Sequence, residues 1–377
     1  ALEATVLQVK VGMTEKQGGT DVRSNMTRAE RDGDGYRISG HKWFMSAPMC
    51  DAFLVLAQAD EGLTCFFMPR FKPDGSINAI QFQRLKDKLG NRSNASSEVE
   101  FLGAHAMRVG DEGKGIRTII QMVQLTRQDC AIASAGLMRS GLAHALHHAR
   151  HRSVFQKHLA DQLLMQAVLS DMAVHVEASI ALVMRLCRSF DRAPADANEA
   201  AFMRLLTPAI KYWVCKSAPG FLYEAMECLG GNGYVEEGIL ARHFRESPVN
   251  AIWEGSGNVM CLDVLRAMQK TPAVVEAFFR EVDRARGANG ALDAWVTALK
   301  REFSERGDMD YRARSVVDRM ALAIQAALLV QHGPAAVADA FCASRLADGG
   351  HRNYGTLPRG VDCAAIDRAW YLSHIAV

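Results

Sequence analysis

The sequence is poor in the features that mark secreted, metal-binding or strongly charged proteins. Its nine cysteines are scattered over 377 residues, and no two have the Cys-x-x-Cys spacing of a zinc cage or a redox dithiol. We therefore predict no metal site, and single cysteines in odd number favour a reducing compartment, the cytoplasm. An excess of one charge is also missing, since 44 Lys and Arg face 42 Asp and Glu. Bulk charge thus gives no argument for a nucleic-acid or membrane partner.

Long apolar runs are scarce too. The first residues, ALEATVLQVK, have neither the basic start nor the apolar core of a signal peptide. The best candidate for a membrane span, residues 320–338, contains two glutamines and a histidine and is interrupted by Gly333-Pro334. We predict a buried helix that stops at this proline, and no membrane partner.

Short β-strands are predicted over about the first 110 residues. Runs rich in aromatic and branched residues alternate there with turns that contain Asp and Gly. The runs are YRISG, HKWFMS, AFLVLAQ, TCFFMPR, AIQFQRL and SEVEFL. Strands at this spacing predict an antiparallel barrel or sandwich.

The pattern changes to helices after Gly113-Lys114-Gly115. Apolar residues then recur at three- and four-residue spacing, which is typical of amphipathic helices long enough to form a bundle. The predicted fold is therefore α+β and mainly α. It has a β-barrel or sandwich domain over residues 1–112, a four-helix-bundle domain over 113–270 and a helical extension over 271–377.

Three motifs carry the functional interpretation, and the first is GMTEKQGGTD at residues 12–21. Its glycine pair, flanked by Thr and Asp, makes a tight turn with exposed amides that suits an anion. A polar surface loop is the alternative explanation of this composition.

The second motif is ECLGGNGY at residues 227–234. It has the glycines of a dinucleotide fingerprint, but a helix precedes them where that fingerprint needs a strand. Helix termination explains one glycine, whereas three glycines in four positions suggest close approach of the backbone to a ligand or another chain.

The third motif, IWEGSGN at residues 252–258, places Glu254 among apolar residues and glycines. An apolar setting raises the pKa of a carboxyl group, which suits a general base. An acid at the N-terminus of the helix predicted over 259–268 is an equally good explanation of Glu254.

Together the three motifs resemble the signatures of the acyl-CoA dehydrogenase family. GMTE followed by GGTD matches the first signature, residues 227–246 match the second, and Trp253-Glu254-Gly255-Ser256 matches the segment with the catalytic glutamate. The resemblance covers residues 11–268 and favours the functional explanation of all three motifs. It implies FAD as the cofactor and the α,β-dehydrogenation of an acyl-CoA, in which Glu254 removes the α-proton.

The resemblance also implies which residues bind the cofactor. Those in the β domain are Met13 and Thr14 at the flavin ring, Gly19 and Thr20 at the pyrophosphate, Phe44 against the isoalloxazine and Ser46 near flavin N5. Those in the helical part are Arg152, Phe155, Gly230, Gly231 and Ser256. Several of these reach FAD across a subunit interface, which implies a homo-oligomer, commonly a tetramer in this family. Gln156 replaces the usual glycine after Phe155, so we expect a different local backbone there.

Four residues are implied at the substrate pocket: Thr126, Arg127, Trp253 and Arg266. Some relatives carry the base on another helix, just before the residue that matches Arg127. Thr126 stands at that position, which leaves Glu254 as the candidate for the base. The family also has an N-terminal helical domain ahead of the first motif, and we expect this sequence to lack it because that motif begins at Gly12.

Within the family, segments 13–19, 84–96 and 248–266 and the helical extension resemble a subgroup of alkylation-response flavoproteins. This implies double-stranded DNA as a partner of the C-terminal region, with acyl-CoA dehydrogenation as a weak activity. The extension, however, has no clear excess of Lys and Arg, on which DNA affinity usually depends. Six arginines could form a basic face or a solvated helix surface: Arg280, Arg284, Arg286, Arg312, Arg314 and Arg319. The alternatives are a metabolic acyl-CoA dehydrogenase or oxidase, and a flavin-stabilised DNA-binding or assembly protein without activity.

Overall fold

The computed structural model describes residues 8–305, 307–347 and 353–375. The chain forms two compact units, Ala1–Leu125 and Thr126–Val377. The first unit is built from β-strands and the second from helices, as the α+β prediction requires.

Seven strands make up the first unit. They are β1 (Val9–Gly12), β2 (Arg28–Asp32), β3 (Gly35–Ser46), β4 (Ala52–Ala59), β5 (Gly62–Pro69), β6 (Ile80–Leu85) and β7 (Ser96–Val109), with a 3-10 helix at Val22–Ser24. The pairings β4–β2, β2–β3, β3–β7, β7–β5 and β5–β4 close a ring, while β1 pairs with β4 and β6 with β7. The closed ring is the predicted barrel, except that β1 and β2 lie parallel to β4. The separately predicted runs YRISG and HKWFMS form the single long strand β3.

The interior of this ring is apolar. Phe53, Phe66 and Phe101 are buried there, on the faces of their strands that point into the ring. A second, smaller cluster contains Leu56 of β4 and Ile119 of the first helix. Because the first turns of that helix pack on the strands, the unit extends to Leu125 and not only to the end of the β region.

The helices begin where the sequence pattern changes. They are α1 (Gly115–His151), α2 (Leu163–Arg192), α3 (Ala197–Cys228), α4 (Gly231–Tyr234), α5 (Ile239–Asn250), α6 (Gly257–Lys270), α7 (Ala273–Val282), α8 (Gly290–Ser304), α9 (Met309–His332), α10 (Ala335–Phe341) and α11 (Cys363–Ile375). A short hairpin, β8 (Ser153–Val154) with β9 (Lys157–His158), follows α1. Two 3-10 helices lie at Leu159–Asp161 and Asp283–Ala285, and a π-helix at Cys342–Ala347.

One apolar core runs through the bundle and the extension. Val316, Met320, Ile324 and Leu328 of α9 are buried in the same cluster as residues of α2, α3 and α6. Helix α9 ends at His332 and Gly333-Pro334 follows, so the predicted buried helix is present. The predicted extension therefore packs as a continuation of the bundle, without a core of its own.

Helix α2 is long and apolar enough to cross a membrane when only length and composition are considered. In this structure 61% of its most apolar window is buried inside the unit. Core helices pass the same test, so the helix is weak evidence for a membrane span.

Candidate active site

The first motif forms a loop that a buried ion pair fixes to strand β3. Lys42 Nζ lies 2.6 Å from Glu15 Oε1, and both side chains are fully buried. Glu15 also accepts hydrogen bonds from the amides of Met26, at 2.7 Å, and Thr27, at 3.2 Å. Lys42 donates to the Leu56 carbonyl at 2.8 Å. Both charged groups of the pair thus have hydrogen-bond partners, as buried charges require.

The two pKa values of this pair move in the same direction. Burial by itself raises the pKa of Glu15, but the Lys42 ammonium and the amide donors outweigh it and lower the pKa to about 2. Burial lowers the pKa of Lys42 to about 8, although the Glu15 carboxylate acts to raise it. At neutral pH both groups are charged, and the loop is held by an ion pair.

This loop brings the predicted β-domain residues together. The Trp43 amide donates to the Thr14 carbonyl at 2.8 Å, so Thr14 lies beside the strand residue that precedes Phe44. A Cβ on Gly19 would stand 2.4 Å from Thr14 Oγ1, so a larger residue there would displace the Thr14 side chain. Met13 is half-buried and Thr20 is exposed.

Phe44 presents an apolar ring at the surface of the first unit, where its side chain is 49% exposed. Lys86 Nζ lies 4.7 Å from the centre of this ring and 3.3 Å from that of Trp43. Glu98 fixes the ammonium at 2.6 Å. Ser46 Oγ accepts a hydrogen bond of 3.4 Å from Asn94. A cation is therefore placed against two aromatic faces beside the predicted flavin contacts.

Glu254 lies in the second unit, in the turn between α5 and α6. Its backbone φ is +57°, a left-handed conformation that costs a non-glycine residue about 1–2 kcal/mol. Its Oε2 atom is buried and, among the described residues, has no hydrogen-bond partner. Helix α6 begins only at Gly257, with Ser256 as its N-cap and no acid in its first turn. Glu254 is therefore not the N-terminal acid of that helix.

Two buried cations hold this turn through three successive carbonyls. Lys211 Nζ donates to the carbonyl of Trp253 at 2.8 Å and to that of Gly255 at 2.5 Å. Arg127 Nε donates to the carbonyl of Glu254 at 3.1 Å, and its Nη1 to Asp263 at 2.8 Å. The turn is thus fixed by its main chain, while the Glu254 side chain takes no part in the fixation.

The remaining predicted pocket residues and the predicted cofactor contact Ser256 differ in how far they are buried. Trp253 is half-buried and donates from Nε1 to Asn250 at 3.1 Å. Arg266 is largely exposed and reaches the cluster only through Asp263, at 3.9 Å. Thr126 precedes Arg127 on α1 and is half-buried, and Ser256 is exposed.

The glycines of the second motif have separate roles. Gly230 has φ +59° and ends α3, as helix termination predicts. A Cβ on Gly233 would stand 2.1 Å from the Met226 carbonyl oxygen, so packing within the chain explains that residue. Gly231 is exposed and a Cβ there would meet nothing within 4 Å. Of the three, Gly231 retains no local explanation, which leaves the prediction of close approach by a ligand or another chain.

The hairpin after α1 displays the other predicted cofactor contacts. Phe155 is 94% exposed at its tip, and Arg152 is exposed at its base. Phe155 and Gln156 have φ values of +50° and +65°, as a two-residue type I′ turn requires. Gln156 thus adopts the left-handed conformation that glycine favours, in spite of the substitution.

Sequence reasoning missed Lys211 and Lys42, the two buried lysines that hold the two loops. Lys211 interrupts an otherwise apolar run of α3, PAIKYWVC, and Lys42 directly precedes the hydrophobic run WFM of β3. A single cation inside an apolar stretch is the signal that could have singled them out, because a buried charge needs a specific partner.

Two family models match this chain. The model described as acyl-CoA dehydrogenase, middle domain, matches residues 11–103, and that described as acyl-CoA dehydrogenase, C-terminal domain, matches residues 113–269. AidB of Escherichia coli (strain K12) is 49% identical over 337 residues, which is 89% of this chain and 62% of AidB. Acyl-CoA dehydrogenase family member 11 of Caenorhabditis elegans is 32% identical over 354 residues, which is 85% of this chain and 57% of that protein. The chain spans less than two thirds of the length of these relatives.

A solved structure shows the same fold. The crystal structure of Caenorhabditis elegans ACDH-11 in complex with C11-CoA has a TM-score of 0.83 and 29% identity, and the match covers 97% of this chain and 64% of that chain. The predicted resemblance and fold class are confirmed, and so is FAD, the cofactor of the family. The chain belongs to the acyl-CoA dehydrogenase family.

Proposed function

We propose that this protein catalyses the FAD-dependent α,β-dehydrogenation of an acyl-CoA, with Glu254 as the base. The observation that carries the proposal is the Glu254 carboxylate, whose buried Oε2 atom has no partner among the described residues although the turn around it is fixed. A buried acceptor without a partner costs free energy, which is a reason to expect a role in binding or chemistry.

The residues present fit FAD. Gly18, Gly19 and Thr20 are exposed in the turn after Thr14, so the backbone there is accessible to a phosphate. The exposed Phe44 ring offers an apolar face of the kind that a planar ring system covers. When bound, FAD supplies the acceptor for the β-hydride of the substrate. The chain itself supplies Glu254 to take the α-proton, while Arg127 and Lys211 hold the turn in position.

The test is an anaerobic visible spectrum of the flavin-loaded protein, recorded before and after addition of a panel of short acyl-CoAs. We expect prompt bleaching of the flavin absorbance with the wild type. In Glu254→Gln, loss of the base should slow bleaching by about 10²- to 10⁴-fold without loss of bound flavin. An unchanged rate in this variant would mean that the base is another residue. A flavin that stays oxidised with every acyl-CoA would argue against the dehydrogenase.

We also propose that the protein is a homotetramer that shares FAD between subunits. Exposed apolar side chains near the predicted contacts support this proposal: Phe155 is 94% exposed, Leu164 84% and Tyr234 79%. Surfaces of this kind are typical of protein interfaces. Mass measured by light scattering should be four times that of the chain, and Phe155→Ser should lower both the mass and the flavin content. A monomer that retains FAD would contradict the proposal.

A second candidate function is DNA association in the response to alkylation damage, which the similarity to AidB favours. The arginines of the extension weigh against it, because several are engaged within the chain. Arg312 and Arg319 both pair with Glu302, and Arg284 pairs with Glu281. Titration of duplex DNA at several salt concentrations decides the matter, since phosphate contacts give an affinity that falls steeply with salt.

We also propose that the protein is located in the cytoplasm, which its nine unpaired cysteines support.

A further inference from the structure

The turn that carries Glu254 has a conformation that its own sequence does not favour. Glu254 and Gly255 are consecutive left-handed residues, with φ values of +57° and +104°. The φ of Gly255 lies in the left-handed region that L side chains rarely adopt, which explains glycine at that position. No comparable reason explains why Glu254, which has a side chain, is left-handed, and its conformation must be imposed by contacts from outside the turn.

Those contacts come from Lys211 on α3 and Arg127 on α1. Lys211 bonds the carbonyls on both sides of Glu254, at 2.8 Å and 2.5 Å, and Arg127 bonds the carbonyl of Glu254 itself. Three successive carbonyls are thereby hydrogen-bonded to two cations. A turn in which three successive carbonyls are fixed cannot rotate its peptide planes without loss of at least one of these hydrogen bonds.

The two cations differ in whether their hydrogen bonds are confined to the turn. Arg127 is shared, because its guanidinium also pairs with Asp263 at 2.8 Å. Both hydrogen bonds recorded for the Lys211 ammonium end on the turn, on either side of Glu254. Lys211 is only 1% exposed, and burial lowers its pKa, against the raising effect of the Cys215, Cys130 and Glu254 groups nearby. Burial of a lysine ammonium destabilises the fold unless hydrogen bonds to buried acceptors offset the loss of hydration.

We propose that Lys211 is the positioning residue of the active-site base: its ammonium clamps the carbonyls of Trp253 and Gly255 and so holds Glu254 left-handed, with the carboxylate aimed at the substrate. The proposal rests on Glu254 being the base of the proposed dehydrogenation. Lys211 touches neither the reacting atoms nor the cofactor in this role, and it acts on the rate through the geometry of the turn.

The experiment compares Lys211→Met, which removes the donor, with Lys211→Arg, which keeps a cation with several donors. Lys216→Met is the matched control, since Lys216 lies on the same helix but is exposed. We expect Lys211→Met to lower kcat for flavin reduction by about 10- to 100-fold with little change in KM, because a small misplacement of a reacting group has this effect. Lys211→Arg should recover most of the loss, and Lys216→Met should match the wild type.

A second readout does not depend on activity. Hydrogen exchange of the backbone amides in residues 251–258 should become faster in Lys211→Met than in the control, whereas the strands of the first unit should be unchanged. A Glu254→Gln, Lys211→Met double variant should react no more slowly than Glu254→Gln alone, because a misplaced base adds nothing to a missing one.

Equal kcat and equal exchange in Lys211→Met and Lys216→Met would overturn the proposal. A parallel fall in thermal stability, flavin content and kcat in both Lys211 variants would overturn it as well, because that result means a structural role alone. If none of the acyl-CoAs bleaches the flavin of the wild type, the proposed function fails. The hydrogen-exchange comparison still shows in that case whether Lys211 holds the turn.

Discussion

Gly231 and Gly233 are two positions apart but differ in the space available for a side chain. A methyl group on Gly233 would collide with the Met226 carbonyl, whereas one on Gly231 would meet open space. We expect Gly233→Ala to lower the free energy of unfolding by about 1–3 kcal/mol through overpacking. Gly231→Ala should change it by less than about 0.5 kcal/mol but should weaken FAD retention if this glycine lies against the cofactor. Urea unfolding and flavin content measure the two effects, and equal midpoints for both variants would contradict the packing argument.

The Glu15–Lys42 pair predicts a loss of stability in acid. The pKa of Glu15 is lowered from 4.5 to about 2 in the folded protein. A lowered carboxyl pKa gives stability that is complete above the unfolded value, and here it is lost as pH falls from 4.5 towards about 2. Urea midpoints of the wild type should therefore fall more steeply over this range than those of a Glu15→Gln, Lys42→Met double variant. The same slope in both proteins would show that other carboxyl groups dominate.

At the level of elements, a buried charge network ties α2, α3 and α7 together. Arg185 of α2 bonds Glu199 of α3 at 2.9 Å and Glu281 of α7 at 3.0 Å. Removal of the arginine leaves two carboxylates buried without their cation. We expect Arg185→Met to cost about 3–5 kcal/mol of unfolding free energy. Arg192→Met, at the exposed end of the same helix, is the control and should cost less than about 0.5 kcal/mol. A similar urea midpoint for both variants would mean that the network contributes nothing net.

At the level of the whole molecule, the extension and the bundle should not fold separately. Four buried side chains of α9 lie in the bundle core, and each contributes about 1.5–3 kcal/mol by burial. Their sum is comparable with the whole stability of a typical protein, about 5–15 kcal/mol. A chain cut after Lys270 should therefore be insoluble or unfolded, as judged by circular dichroism and size-exclusion chromatography. A soluble, cooperatively folded fragment would show that the extension is an independent domain.

The sequence was most informative where structure is local. The aromatic and branched runs that predict β4 and β7, the change of pattern at Gly115 and the stop at Gly333-Pro334 are all local signals, and the fold class they predict is confirmed. The neighbours of Glu254 in the chain left a base and a helix-terminal acid equally good as explanations, and the family resemblance of the segment decided for the base. The clamp on its turn was not predicted, because Lys211 lies more than forty residues away and donates to main-chain carbonyls, which every residue possesses. The parallel pairing of β1 and β2 with β4 also escaped prediction, since short runs separated by turns do not show which strands become neighbours.

The manner in which the Glu254 turn is fixed has a consequence for how this protein can change. Both clamping residues bond the main chain, so these hydrogen bonds do not depend on which side chain position 254 carries. Substitution at position 254 can therefore replace one reactive group with another while the scaffold that aims it persists. A protein of this kind can lose or exchange its chemistry through one substitution and still fold. Its descendants keep a fixed turn that can position a new reactive group.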